Sequence, residues 1–187
     1  MKVDIYNTDK KYQIIYADPP WSYGDRVYSK KDGGKFYSLK DYHYDTMSVA
    51  EIQSLPVANI AEGNSILFLW TTFPNLQEGL NTIKAWGFKY KTLGFSWIKT
   101  NKKDDRPFFG IGWYTKSNCE CCLIGTKGKP PKASNSVSSV IVSPREEHSK
   151  KPDEARSRIV EFCGDVPRIE LFARQHVDGW DCWGDEV

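Results

Sequence analysis

Gln13-Ile14-Ile15-Tyr16-Ala17-Asp18-Pro19-Pro20-Trp21 is the stretch on which the reading of this chain turns. Its apolar run, cut off by an acid and two prolines that cannot donate to a ladder, suits a buried strand stopping at a loop. Ser65-Ile-Leu-Phe-Leu-Trp70 is a second buried-strand run. Pro74 then opens a helix whose Leu76, Leu80 and Ile83 share a face, ended by Gly87. Lys89 to Lys99 is strand-like, and Glu120 to Gly125 and Val137 to Val142 read as further strands. Pro152, with Asp153 and Glu154 beside it, starts a helix with an Ala155, Ile159 and Phe162 stripe, ended by Gly164. Arg168-Ile-Glu-Leu-Phe172 is a last strand. Strands separated by helices predict an α/β protein with helices on the faces of its sheet. No repeat, linker or low-complexity tract divides it, so residues 1–187 read as one domain.

The composition bounds the partners. The chain has 26 Lys+Arg against 24 Asp+Glu, a net charge of +2, which excludes a polycation binding by bulk charge but not a local basic groove. Aromatic residues are 14% of the chain, enough to ask which of them serve a ligand. Met1 to Gln13 is polar, and no apolar run approaches the roughly 20 residues that span a bilayer. The expectation is a cytoplasmic protein with reduced thiols and no membrane partner. Cys119, Cys121 and Cys122 lack the paired spacing of zinc sites, so buried thiols in a strand are expected and no metal. No strand–GxGxxG–helix unit and no GxxxxGK[ST] loop is present, which argues against a dinucleotide site and against an NTPase.

Ligands of open α/β sheets bind at the carboxyl ends of strands, where Asp18-Pro19-Pro20-Trp21 falls. Asp18 is an acceptor, a proline peptide aims a carbonyl, and Trp21 supplies a stacking face, which together fit a planar ring with an exocyclic amine. The same tetrapeptide also reads as a strand end with Trp21 packed in the core. Between Ser22 and His43 lie Arg26, Lys30, Lys31, Lys35 and Lys40 among Tyr23, Tyr28, Phe36, Tyr37 and Tyr42. Cations for phosphates and rings for bases compose a nucleic-acid channel, and equally a charge-dotted surface loop. Residues 101–112 form a second polar loop, and Lys102, Lys103, Arg106 and Lys116 could grip the other side of a substrate.

Tyr16-Ala-Asp-Pro-Pro-Trp21 resembles the catalytic motif of the adenine-N6 methyltransferases named after the seventy-kilodalton subunit of the eukaryotic mRNA adenosine methyltransferase. Tyr44-Asp-Thr-Met47, Leu67-Phe-Leu-Trp70, Trp97-Ile-Lys-Thr100, the segment from Gly110 to Glu120, His148 to Glu154, and Glu170-Leu-Phe-Ala-Arg174 with Gly179-Trp180 and Trp183-Gly184 follow in the family's order. The resemblance implies a Rossmann-like class I methyltransferase fold with a central, mostly parallel sheet. It is circularly permuted in the β-class manner, catalytic motif before cofactor motif. It implies S-adenosylmethionine as cofactor and the N6 amine of adenine in nucleic acid as acceptor. DNA is favoured because the compact, undecorated chain is similar to the bacterial and phage branch. An RNA adenosine methyltransferase and a catalytically inactive nucleic-acid-binding partner subunit are the alternatives.

By the same resemblance, Asp18, Pro19, Pro20 and Trp21 are catalytic. Asp18 and the Pro19 carbonyl would accept the two N–H bonds of the amine, and Trp21 would stack on the base. Lys151 matches the lysine that approaches the methionine carboxylate. Glu170, Leu171, Phe172, Arg174 and His176 match the ribose and adenine end of the cofactor strand, although Phe172 also reads as core. Asp185 and Glu186 stand where the family has Asn and Gln, and a carboxylate accepts but does not donate. Tyr23, Tyr44, Trp113, Lys116 and Glu120 are the substrate-side candidates, Lys116 standing where Arg is usual. With no separate target-recognition domain in 187 residues, specificity falls to the loops, a second copy of the chain or a partner subunit.

Overall fold

The computed structural model describes residues 1–22, 47–104, 106–110, 114–145 and 150–187 in full, and 27–29 and 35–37 as backbone. Among the described residues there are nine strands: β1 Tyr12–Ala17, β2 Val27–Ser29, β3 Lys35–Tyr37, β4 Ala61–Thr71, β5 Lys89–Thr100, β6 Cys119–Lys127, β7 Val140–Pro144, β8 Arg168–Leu171 and β9 Asp181–Trp183. The helices are α1 Val49–Ser54, α2 Val57–Ile60, α3 Leu76–Ala85 and α4 Glu154–Cys163. Seven strands form one sheet in the order β7-β5-β6-β4-β1-β8-β9, while β2 and β3 pair separately as an antiparallel ribbon. Among the described residues β6 is the only reversed strand of the large sheet.

The central strands are buried on both faces, and period-2 alternation sorts their side chains. Ile15, Ala17, Leu67 and Leu69 join Ile52, Val57, Ile60, Ile83 and Trp86 under α1–α3. Ile14, Tyr16, Phe68 and Trp70 join Ala155, Ile159 and Cys163 under α4. Helices therefore cover both faces, as the α/β pattern predicts. Burying each such large side chain contributes roughly 1.5–3 kcal/mol, so β1 and β4 anchor the fold. The buried polar tips are paired: Trp70 Nε1 donates to Tyr16 Oη at 2.8 Å, and Trp86 Nε1 donates to the Ile52 carbonyl at 3.0 Å.

Where the structure departs from the sequence reading, short elements are the reason. The capping box of Ser48 and Glu51 starts α1, a signal present in the sequence but unread in so short a helix. Pro74 opens a 3₁₀ turn, Phe73–Asn75, before α3 begins at Leu76. β7 begins at Val140 rather than Val137, and β8 stops at Leu171 because Phe172 turns to φ +61°. α4 ends at Gly164, φ +89°, as its position after the stripe predicts. Cys121 and Cys122 lie buried in β6. Among the described residues no helix is long and apolar enough to cross a membrane.

Candidate active site

The chain leaves β1, an interior strand, first toward β4 on one side and later returns to β8 on the other. The crevice at the carboxyl ends of β1 and β8 is thus a switch point, the place where open α/β sheets bind ligands. Asp18 follows β1 directly into it. The Trp21 amide donates to the Pro19 carbonyl at 2.8 Å, closing a three-residue turn around Pro20. Pro19 and Pro20, having no N–H, leave no orphan donor in that turn.

Trp21 Nε1 donates to the Trp70 carbonyl at 2.9 Å, and the ring is only 6% exposed, packed with Leu69, Ile52 and Leu55 in the core under α1–α3. Trp21 therefore clamps this turn to the end of β4. Its indole N–H is bonded inward and little of the residue's surface is open in this structure. The Pro20 carbonyl accepts from the Met47 amide at 3.2 Å, which holds the far side of the turn.

Four charged side chains alternate in sign across the rim. Lys151 Nζ, presented by the segment that leads into α4, lies 2.8 Å from Asp18 Oδ2 and 3.2 Å from Glu120 Oε2. Glu120 Oε1 is paired with Lys99 Nζ. These side chains are 10% exposed for Lys151, 22% for Asp18, 15% for Glu120 and 21% for Lys99, so each ion depends on its neighbours for the solvation it has lost. Burial works against the Lys151 charge, but Asp18 and Glu120 outweigh it and hold the ammonium above its usual range. Burial pushes the Asp18 carboxyl up, and Lys151 opposes only part of that. Burial also opposes the Glu120 charge, yet its two lysines carry it below the usual carboxylate range.

Glu170 and Leu171 pair with Tyr16 and Ala17 of β1, so they flank Asp18 across the crevice. Glu170 is locked by Arg156 of α4 through two parallel bonds of 2.7 Å, Nε to Oε2 and Nη2 to Oε1. Both side chains are about 10% exposed, and the guanidinium also sits 5.8 Å from the Tyr16 ring centroid. Beyond Leu171, the Phe172 ring meets Trp183 edge-on at 5.3 Å, and Tyr6 approaches the same indole at 6.4 Å. Arg174 Nε lies 3.5 Å from Glu186 Oε1, Asp185 is exposed beside it, and His176 Nδ1 lies 3.2 Å from Cys182 Sγ.

The two exits are pressed together at Gly184, where a Cβ would stand 2.4 Å from the Ala173 carbonyl oxygen. Gly184→Ala is expected to cost about 1–3 kcal/mol of overpacking, read as a fall of several degrees in a thermal melt.

The structure thus brings together Asp18, Pro19, Pro20, Trp21, Lys151, Glu120, Glu170 and Leu171, with Phe172, Arg174, His176, Asp185 and Glu186 along the neighbouring exits. Lys116 is exposed on the segment joining β5 to β6. Tyr23, Tyr44 and Trp113 lie outside the described residues, as do most of loop 22–43 and residues 105 and 111–112 of the second loop. Sequence reasoning missed Arg156 and Lys99 as parts of the site. For Lys99 a signal existed: period-2 alternation puts it on the face of Trp97. A shallow depression lined by Lys10, Tyr12, Arg168 and Trp180 lies at the opposite ends of the parallel strands, away from this chemistry.

An ammonium and a carboxylate 2.8 Å apart are complementary to a zwitterionic amino acid, and the carboxylates and rings beyond β8 and β9 suit ribose hydroxyls and a planar base. The MT-A70 family profile matches residues 12–186. The chain is 37% identical over 190 residues to the type II methyltransferase M.MunI of a Mycoplasma species, covering 95% of this chain and 78% of that protein. It is 29% identical over 193 residues to the N(6)-adenosine-methyltransferase MT-A70-like protein of Arabidopsis thaliana, covering 100% of this chain but 25% of that one. It is 27% identical over 199 residues to the human N(6)-adenine-specific methyltransferase METTL4, covering 98% and 39%.

Proposed function

The chain belongs to the MT-A70 family, and on that premise we propose that it methylates the N6 amine of adenine in nucleic acid, with S-adenosylmethionine as donor and DNA as the favoured substrate. The observation that carries the reading is Asp18, set at the carboxyl end of β1 beside the switch point and held against Lys151. The whole chain acts as one catalytic domain, with the catalytic turn after β1 preceding the cofactor segment after β8. Similarity across 78% of M.MunI supports the bacterial branch, for which DNA is the favoured substrate.

S-adenosylmethionine, when bound, supplies an electrophilic methyl group. Lys151 would hold its carboxylate, Asp185 and Glu186 would accept from its ribose hydroxyls, and Phe172 and Trp183 would stand beside its base. The exocyclic nitrogen of adenine is a poor nucleophile, because its lone pair is delocalised into the ring. Asp18 and the Pro19 carbonyl accept its two N–H bonds, draw the nitrogen toward tetrahedral geometry and expose the lone pair. Such positioning can supply roughly 7–11 kcal/mol of barrier reduction. Asp18 need not remove a proton beforehand, since the proton is acid once the nitrogen becomes cationic. Trp21, clamped to Trp70, keeps the turn in place, and reaching an adenine inside a duplex requires flipping it out, at a few kcal/mol.

Transfer of labelled methyl groups to matched single- and double-stranded DNA and RNA oligonucleotides, with product mapping, tests the assignment. N6-methyladenine in DNA is the expected product. Label confined to RNA would overturn the preference for DNA, and cofactor binding without transfer to any oligonucleotide would overturn the activity. The second loop adds a separate expectation. Lys102, Lys103 and Lys116 are exposed on the segment between β5 and β6. Replacing all three by alanine should raise KM for the oligonucleotide and flatten its salt dependence by about two to three phosphate contacts, with cofactor affinity unchanged.

A further inference from the structure

We propose that Lys99 and Glu120 are positioning residues that hold Lys151 as the counter-ion of Asp18, so that Asp18 meets the adenine amine as a carboxylate; this rests on the reading of Asp18 as the amine's acceptor. The arrangement follows from register. Glu120 is directly opposite Trp97, and Lys99 stands two residues farther along β5 on the same face. Diagonal neighbours of this kind are within reach of long side chains. The Lys99 amide also donates to the Asn118 carbonyl at 2.9 Å, which pins the strand end that carries it.

Each ammonium lies near the face of a tryptophan, Lys99 5.0 Å from the Trp97 centroid and Lys151 5.7 Å from the Trp70 centroid. The two indoles meet edge to face at 6.4 Å, so both cations rest on one aromatic wall under the sheet's edge. Glu120 has one oxygen on each lysine. It therefore divides its charge between them: when Lys99 takes one share, Lys151 is freer to serve Asp18.

Among the described residues, the charges acting on Asp18 come from several elements. Lys151 and Arg174 favour its ionised form, while Glu120, Glu170, Tyr16 and Cys122 are the acidic groups coupled to it. Lys99 is the member whose influence passes through Glu120. Removing Lys99 leaves Glu120 to claim Lys151 alone, which weakens the hold on Asp18 and raises the pH at which Asp18 ionises. Removing the Glu120 charge does the reverse, because a like charge is lost and Glu120 no longer competes with Asp18 for Lys151.

The pH dependence of kcat/KM, measured for Lys99→Met, Lys99→Arg and Glu120→Gln, separates this from a merely structural role. Activity falls on the acid side as Asp18 gains its proton, and that limb is the readout. The expected result is a limb displaced to higher pH by about half a unit or more in Lys99→Met. It should return close to the parent in Lys99→Arg and move to lower pH in Glu120→Gln. The Asp18 carboxyl signal in carbon-13 spectra of the ligand-free protein, assigned by its loss in Asp18→Asn, should show the same displacements. Unmoved limbs and an unmoved carboxyl titration in folded Lys99→Met and Glu120→Gln would overturn the proposal. If Lys99→Met does not fold, the Glu120→Gln displacement decides. A displaced carboxyl signal in a protein whose Asp18→Ala variant still turns over would instead overturn the catalytic reading of Asp18.

Discussion

Asp18→Ala is expected to lose methyl transfer by about a thousandfold or more while the protein remains folded and binds S-adenosylmethionine. In the proposed mechanism the carboxylate is the acceptor that reshapes the amine, and the Pro19 carbonyl alone, already accepting the Trp21 amide, cannot orient both N–H bonds. The fold should survive because Asp18 is not in the core. Its side chain is 22% exposed, and Lys151 keeps Glu120 as a partner when Asp18 is gone. Asp18→Asn retains one acceptor without the charge and should fall between parent and alanine. Single-turnover transfer, a thermal melt and calorimetric titration of the cofactor check the three parts separately. Turnover within tenfold of the parent would remove Asp18 from the mechanism.

The largest loss of stability is expected from Arg156→Met. It leaves the Glu170 carboxylate, only 9% exposed, without the guanidinium that bonds both of its oxygens. Breaking one side of a buried pair costs about 3–5 kcal/mol, which for a chain of this size lowers the melting temperature by about 10 °C. The deficit has a definite pH dependence. Burial already raises the Glu170 carboxyl, and Arg156 is the group that opposes the rise. Without Arg156 the folded-state value climbs further above the unfolded one, so folding then favours the protonated acid. Stability is retained below the unfolded value and lost as pH rises through the folded one. Melts of Arg156→Met should therefore show a smaller deficit at pH 5 than at pH 8. Adding Glu170→Gln should recover part of the loss, and a double-mutant cycle measures the coupling. Equal deficits at both pH values would mean that Glu170 is solvated by something other than Arg156.

Much of the fold was legible because its strands are long or apolar and its longer helices carry their own punctuation. Ile14 to Ala17 and Ile66 to Trp70 announce central strands, and α4 runs to Gly164 with Ala155 and Ile159 inward. α2 has four residues and β9 three, too few to establish a period, and they exist because tertiary packing closes on them. In the site, Asp18 and Lys151 were legible as motif residues, but their contact was not, since 133 positions separate them. Trp21 illustrates the limit most clearly. Its position beside Asp18 fits a stacking face and a core ring alike, and only the fold reveals its bond to the Trp70 carbonyl. Arg156 carried no warning, because a charged residue next to Ala155 reads as the solvated shoulder of a helix.

The reversal of β6 has an evolutionary consequence. Because β5 arrives at the catalytic rim and β6 departs from it, the segment between Thr100 and Cys119 begins and ends at one place. A connection of that shape can be lengthened, shortened or exchanged without disturbing the register of either strand, and its closure entropy grows only slowly with length. The sheet that carries Asp18 and the connection between β5 and β6 can therefore diversify independently, one fixed by strand register and the other free to be rewritten as a cassette.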